Sequence, residues 1–231
     1  MERFIAAAVQ MNSTPERERN LEQAFELIDE AAARGARFIA TPENTELLAP
    51  HGVKVEAAEP LSGATIGLFS DRAKQHGVWL LVGSFGERSP DSNRVRNTSV
   101  LISPKGDVHS VYRKIHLFDV DLDDGTSVRE SSQVEPGDEA VVADTPLARF
   151  GMSVCYDLRF PELYRELAHL QAEVILIPSA FTLHTGKDHW EILVRARAIE
   201  NSSWVIAPAQ TGHHLKGRTS YGHSMIVDPW G

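Results

Sequence analysis

Short apolar runs alternate with amphipathic helical stretches along nearly all of this 231-residue sequence, and that rhythm dictates an α/β architecture. "RFIAAAVQM" (3–11), "ARFIATPE" (36–43), "VWLLVGSFGE" (78–87), "ARFGMSVC" (148–155), "AEVILIPSA" (172–180) and "SWVIAPAQ" (203–210) read as buried strands. Helical segments are predicted at 13–35, 62–77, 161–171 and 187–202. In the first, Leu21, Ala24, Phe25, Ile28 and Ala32 fall near the i, i+3, i+4 spacing. Ser13 or Thr14 is placed to cap it, Pro15 suits its first position and Gly35 ends it.

Strands separated by helices imply parallel pairing. "NTSVLISPKGDVHSVYRK" (97–114) instead reads as a hairpin about a Pro-Lys-Gly-Asp turn, so a mixed sheet is expected. Residues 119–139 are polar and rich in Gly and Ser, a long loop of the kind that carries function. "GHSMIVDPWG" (222–231) reads as a strand reaching a turn, after which a partner strand is expected. The chain therefore reads as a single domain over residues 1–231 that lacks its C-terminal strand and tail.

A formal charge of −9 argues against a nucleic-acid partner, which would demand a basic face. No run of eighteen apolar residues exists, so a membrane span is not expected. "MERFIAAAVQMNS" lacks a basic n-region and reads as a first strand, not a signal peptide. The single cysteine cannot form an internal disulfide, which points to a reducing compartment and hence the cytoplasm.

Open α/β sheets bind ligands at the carboxyl ends of their strands. Three reactive residues sit at such ends: Glu43 after "ARFIATP", Lys114 after "DVHSVYR" and Cys155 after "RFGMSV". Each has a plain alternative: a solvated loop acid, a surface lysine, a small buried hydrophobe. Together they supply one mechanism. A thiol must lose its proton to attack, a carboxylate in a dry site can accept it, and an ammonium can stabilise the charges that develop. Ten histidines raise the question of a metal, yet His213 and His214 are adjacent and should point to opposite faces of a strand. A Cys-His dyad using His116 is the more serious competitor.

"TPENTELL" (41–48), "YRKIHLFDVD" (112–121) and "GMSVCYDLRFPELYREL" (151–167) resemble, in order, three signature segments of the nitrilase superfamily of carbon-nitrogen hydrolases. "FPEL" and "LIPSAF" look like further segments of the family, and "HWEILVRARAIEN" and "GHSMIVDPWG" look closest to its Nit-type amidase branch. The resemblance implies a four-layer α-β-β-α sandwich with two mixed β-sheets and a Glu-Lys-Cys triad at Glu43, Lys114 and Cys155. It also implies an assisting glutamate at Glu130, in "RESSQVEPGD".

The implied activity is cysteine-dependent hydrolysis of a small ω-amide, of the deaminated glutathione or α-ketoglutaramate type, through a thioester. The backbone N–H of Tyr156 would share the oxyanion with Lys114. Arg159 would bind the carboxylate of an anionic substrate, with a structural ion pair as its alternative. Phe181 and Thr182 would line the pocket, and Tyr112 and Trp190 would stack there or pack in the core. No metal or organic cofactor is called for, and a homodimer or higher homo-oligomer is expected. A nitrilase or N-carbamoyl hydrolase with the same triad stays open, as do a non-catalytic binding protein on this fold and a thiol redox sensor. The last lacks a second cysteine to resolve an oxidised thiol.

Overall fold

The computed structural model of the chain describes residues 3–91, 93–121 and 127–231. In chain order its first half holds β1 (Ile5–Ala8), β2 (Gln10–Met11), α1 (Arg17–Ala33), β3 (Ala36–Ala40), α2 (His51–Ala57) and α3 (Ala64–His76). β4 (Trp79–Arg88), β5 (Val95–Ile102) and β6 (Val108–Arg113) follow. One mixed sheet orders these strands β1-β3-β4-β5-β6, with the first three parallel and the last two returning antiparallel. Side chains alternate between the faces of a strand. Ile39, Leu80, Val82, Val100 and Ile102 therefore pack under α1 and α3 against Ala24, Ile28, Phe69 and Ala73. Phe38, Ala40, Leu81 and Leu101 face the other way.

The second half holds β7 (Asp119–Asp121), β8 (Ser127–Arg129), β9 (Val141–Asp144), β10 (Arg149–Met152), α4 (Pro161–His169), β11 (Val174–Leu176) and α5 (Leu183–Asn201). β12 (Trp204–Ala207), β13 (Ala209–Leu215), β14 (Arg218–Tyr221) and β15 (Met225–Val227) complete it. A second mixed sheet orders its strands β15-β12-β11-β10-β9, parallel at the centre and antiparallel at both flanks. Phe38 of the first sheet stacks on Phe150 of the second, ring centroids 4.3 Å apart. Both rings are fully buried, which contributes about 2 kcal/mol for each. Leu163 and Leu167 of α4, with Trp190, Val194 and Ala198 of α5, join the same core from outside. The layers run α-β-β-α, as the resemblance implies. A three-stranded sheet of β14, β13 and β2 ties the last third of the chain to the first strands.

Several boundaries differ from the sequence reading, each for a local reason. α1 begins at Arg17, not near Pro15. The Ser13 hydroxyl instead donates to the Thr45 carbonyl (2.9 Å), and Thr14 Oγ1 accepts from the Glu16 N–H, so neither caps the helix. α5 begins four residues early, because Thr182 Oγ1 accepts from the Thr185 N–H and caps it there. α2 escaped the reading altogether: seven residues with no buried side chain leave no periodic signal. The 119–139 stretch contains the paired β7 and β8 and a 3₁₀ turn at Glu130–Ser132, while residues 122–126 lie outside the described ones. Among the described residues no helix is long and apolar enough to cross a membrane.

Candidate active site

The loop after β3 delivers Glu43, and β4 passes beneath that loop at Gly83. A Cβ at Gly83 would stand 2.0 Å from the Thr41 carbonyl oxygen and 2.4 Å from that of Pro42, so only glycine allows the approach. Asn44 is left-handed (φ +56°), with its N–H donating to Ser84 Oγ at 2.8 Å. Gln210, on β13, donates from Nε2 to the Glu43 carbonyl at 3.1 Å. Lys114 stands just past β6, and its N–H donates to the Asn97 carbonyl on β5 (2.9 Å), which sets Lys114 and Asn97 side by side.

Cys155 comes from the other sheet. It opens the 3₁₀ turn after β10 in the left-handed region (φ +50°), with its N–H donating to the Pro178 carbonyl at 3.0 Å. The fully buried Asp157 fastens that turn. Its Oδ2 accepts from the Val154 N–H (2.8 Å) and the Tyr112 hydroxyl (2.7 Å). Its Oδ1 accepts from the His116 N–H (3.0 Å) and lies 2.8 Å from His116 Nδ1. Tyr112 and His116 flank Lys114 in the chain. One carboxylate thus ties the cysteine turn of the second sheet to the lysine segment of the first.

The four residues picked out by the sequence as catalytic converge. Lys114 Nζ lies 3.1 Å from Glu43 Oε1 and 3.1 and 2.9 Å from the two oxygens of Glu130. Asn97 Nδ2 donates to Glu43 Oε1 at 2.9 Å, and the Phe118 N–H to Glu130 Oε2 at 2.6 Å. Cys155 lines one pocket with Glu43, Lys114, Glu130 and Ala180, and its thiol and the Glu43 carboxyl influence each other's ionisation. Lys114 and Glu43 are only 2% and 3% exposed.

Burial opposes ionisation of Glu43, but the Lys114 charge and the hydrogen bonds from Cys155, Lys114 and Asn97 outweigh it and hold the carboxyl below its usual value. Burial, then the Glu43 charge, pushes the thiol well above its usual value, with Lys114 offsetting part. Lys114 rises despite burial, because Glu130 and Glu43 face it. These directions favour a neutral thiol beside a charged Glu43–Lys114 pair.

A pocket of about 190 Å³ opens above this cluster, and Tyr156, Arg159, Phe181 and Thr182 all line it. Arg159 pairs with no acid among the described residues. Its Nη2 lies 3.2 Å from His189 Nδ1, and its guanidinium spans the rings of Tyr156 (5.9 Å) and Phe181 (5.5 Å). Tyr112 and Trp190 belong to the core, where Trp190 Nε1 donates to the His223 carbonyl (2.8 Å). His116, the base of the alternative Cys-His dyad, stacks on Phe160 and lies 2.8 Å from Asp157 Oδ1 through Nδ1. His214 is buried on the Ser13 carbonyl (2.7 Å) and His213 is exposed, as adjacent strand residues should be.

The sequence reading missed Asn97, Asp157, Ala180, Lys54 and Arg218, the last three of them on the pocket wall. Asn97 left a faint trace as a polar side chain in an otherwise apolar strand.

The fold thus sets a pocket over a cysteine-bearing turn between two sheets. The chain belongs to the carbon-nitrogen hydrolase family, whose signature matches residues 5–231, and it acts on carbon–nitrogen bonds other than peptide bonds. A deaminated glutathione amidase of Synechocystis sp. (strain PCC 6803 / GT-S) is 44% identical over 234 residues, 100% of this chain and 86% of that protein. The deaminated glutathione amidase of Mus musculus is 43% identical over 98% of this chain and 72% of its own. Among solved structures, the C. elegans NitFhit protein superposes with a TM-score of 0.91 at 38% identity, covering 96% of this chain and 55% of that one. Saccharomyces cerevisiae Nit3, a member of branch 10 of the nitrilase superfamily, does so with 0.88 at 29%, covering 98% and 82%.

Proposed function

We propose that the protein is a cysteine amidase that hydrolyses an anionic ω-amide of the deaminated glutathione type, through a thioester on Cys155. The observation that carries this reading is the buried Lys114 ammonium held between the Glu43 and Glu130 carboxylates in a pocket that the lone Cys155 also lines.

Glu43 takes the thiol proton as Cys155 attacks the amide carbon. Lys114 and the Tyr156 N–H receive the oxyanion, and each such donor contributes about 3 kcal/mol to the transition state. Glu43 hands its proton to the leaving nitrogen, and the amine or ammonia departs. Water, deprotonated by Glu43 and aligned by Glu130, then opens the thioester and releases the carboxylic acid. Arg159, open to the pocket and free of an acid partner among the described residues, suits the substrate carboxylate. The names of the relatives support the substrate class. The exposed Ile192 and Ile199 on α5 support self-association into a homodimer or larger assembly, and the lone cysteine supports a cytoplasmic setting. Residues 1–231 act in this reading as one domain.

A substrate screen tests it, with release of amine or ammonia as the signal and Cys155→Ala as the blank. Deaminated glutathione should turn over while simple nitriles do not. Comparable turnover of a nitrile, or an unchanged rate in Cys155→Ala, overturns the reading.

A further inference from the structure

Next to the pocket over Cys155 lies a second cavity, of about 30 Å³. Its polar wall is made by Asn44, Glu46, Lys54, Asn97 and Glu130. Asn44, Lys54 and Glu130 line the first pocket as well, so the two spaces share a partition of side chains. Cys155, Arg159 and Phe181 line only the first, while Glu46 and Asn97 line only the second. Yet Asn97 Nδ2 donates to Glu43 Oε1 at 2.9 Å and lies 3.5 Å from Glu130 Oε1. The second cavity therefore reaches both carboxylates that hold Lys114 without crossing the space above the sulfur.

Glu46 sets the character of this cavity. It is 7% exposed, and its Oε1 accepts from the Gly86 N–H at 2.9 Å. Its Oε2 is buried with no hydrogen-bond partner among the described residues, which is costly for an acceptor on a polar wall. Lys54 Nζ donates to Asn44 Oδ1 at 2.8 Å and has further protons to give. A buried water needs roughly 10–15 Å³ and two to four polar partners, and this cavity supplies both. Deacylation consumes a water while the acyl group occupies the first pocket. The water oxygen bonds to the acyl carbon, its proton passes to Glu43, the C–S bond breaks and the sulfur recovers that proton. A water arriving through the first pocket would have to pass the acyl group, whereas one held behind Glu130 would not. We propose that the second cavity stores the hydrolytic water and delivers it to the thioester past Glu130, with Glu46 as the positioning residue that holds it. This rests on the amidase reading above.

Competition between water and a bulky nucleophile tests the store. O-Benzylhydroxylamine is too large for a cavity of about 30 Å³, so it can reach the thioester only through the first pocket. Its nitrogen displaces the sulfur and yields a hydroxamate in place of the acid. With deaminated glutathione as acyl donor, Glu46→Leu should form the thioester at the wild-type rate and hydrolyse it roughly tenfold more slowly. The hydroxamate-to-acid ratio should rise by the same factor. Ala57→Leu, which narrows the cavity from α2, should shift the ratio in the same direction, while Glu46→Gln should stay near the wild type. A ratio unchanged in Glu46→Leu and Ala57→Leu overturns the store alone. So does a parallel loss of acylation and deacylation, which a merely structural Glu46 would give. A wild type that forms no thioester overturns the amidase reading itself, and the store with it. Where Glu46→Leu fails to fold, Ala57→Leu decides together with crystals of the wild-type protein. Ordered water against Glu46 Oε2 is the expected result there, and a dry cavity overturns the store.

Discussion

Glu43 and Glu46 sit three residues apart on one loop, both buried, and their carboxyl groups are driven in opposite directions. Burial raises both. Around Glu43 the Lys114 charge and three side-chain donors more than compensate, so it stays ionised. Glu46 has the Gly86 N–H on Oε1 at 2.9 Å, while its Oε2 is buried without a partner. Burial leads there, and the distant charges of Lys54 and Arg17 recover little, so its pKa climbs to about 7. Partners, not depth, therefore decide which buried acid can serve as a base.

Lys114→Ala should break this contrast most severely. It would leave Glu43 and Glu130 facing each other without a cation and move Glu43 toward the state of Glu46. Acylation should slow by about 10³-fold, as for loss of an oxyanion donor with its charge. Single-turnover thioester formation at the wild-type rate would show that the ammonium is not what separates the two glutamates.

Next in size is a pH effect at Glu46. Its folded pKa of about 7 exceeds its ordinary 4.5, so between those values the folded state holds a proton that the unfolded state has lost. Stability must fall as pH rises through that window, by roughly 3 kcal/mol in all. Glu46→Gln should flatten that decline. Denaturant unfolding at pH 5 and pH 8 measures it, and an equal slope in both proteins would mean that Glu46 finds partners enough after all.

Asn97→Ala sharpens the comparison at the smaller end. It removes one of the Glu43 donors and should cost roughly tenfold in kcat/KM, the worth of a hydrogen bond to a charged group. The pKa of Glu43 lies below 4.5 and activity requires its carboxylate, so the acid limb of the profile should move to higher pH in the variant. A limb that stays in place would assign Asn97 to fold support alone.

The parts legible in the sequence were those with a local signature. Apolar runs gave the strands, and reactive residues at strand ends gave Glu43, Lys114 and Cys155. The groups that tune them left no such mark, because they arrive from distant elements. Asn97 looks like any polar residue of a strand until Lys114 pairs beside it. Lys54 lies on a seven-residue helix with no buried face, and Arg218 on a hairpin strand that the pattern did not show. Glu46 was invisible as an unusual acid, since its state depends on what fails to surround it.

The Asp157 tether has a consequence for anyone moving this chemistry elsewhere. Its four contacts draw on Tyr112 and His116, more than forty positions upstream, as well as on Val154 close by. A graft of the segment around Cys155 into another scaffold would carry the sulfur and lose its aim. Transplanting the reactivity means transplanting the seam between the two sheets.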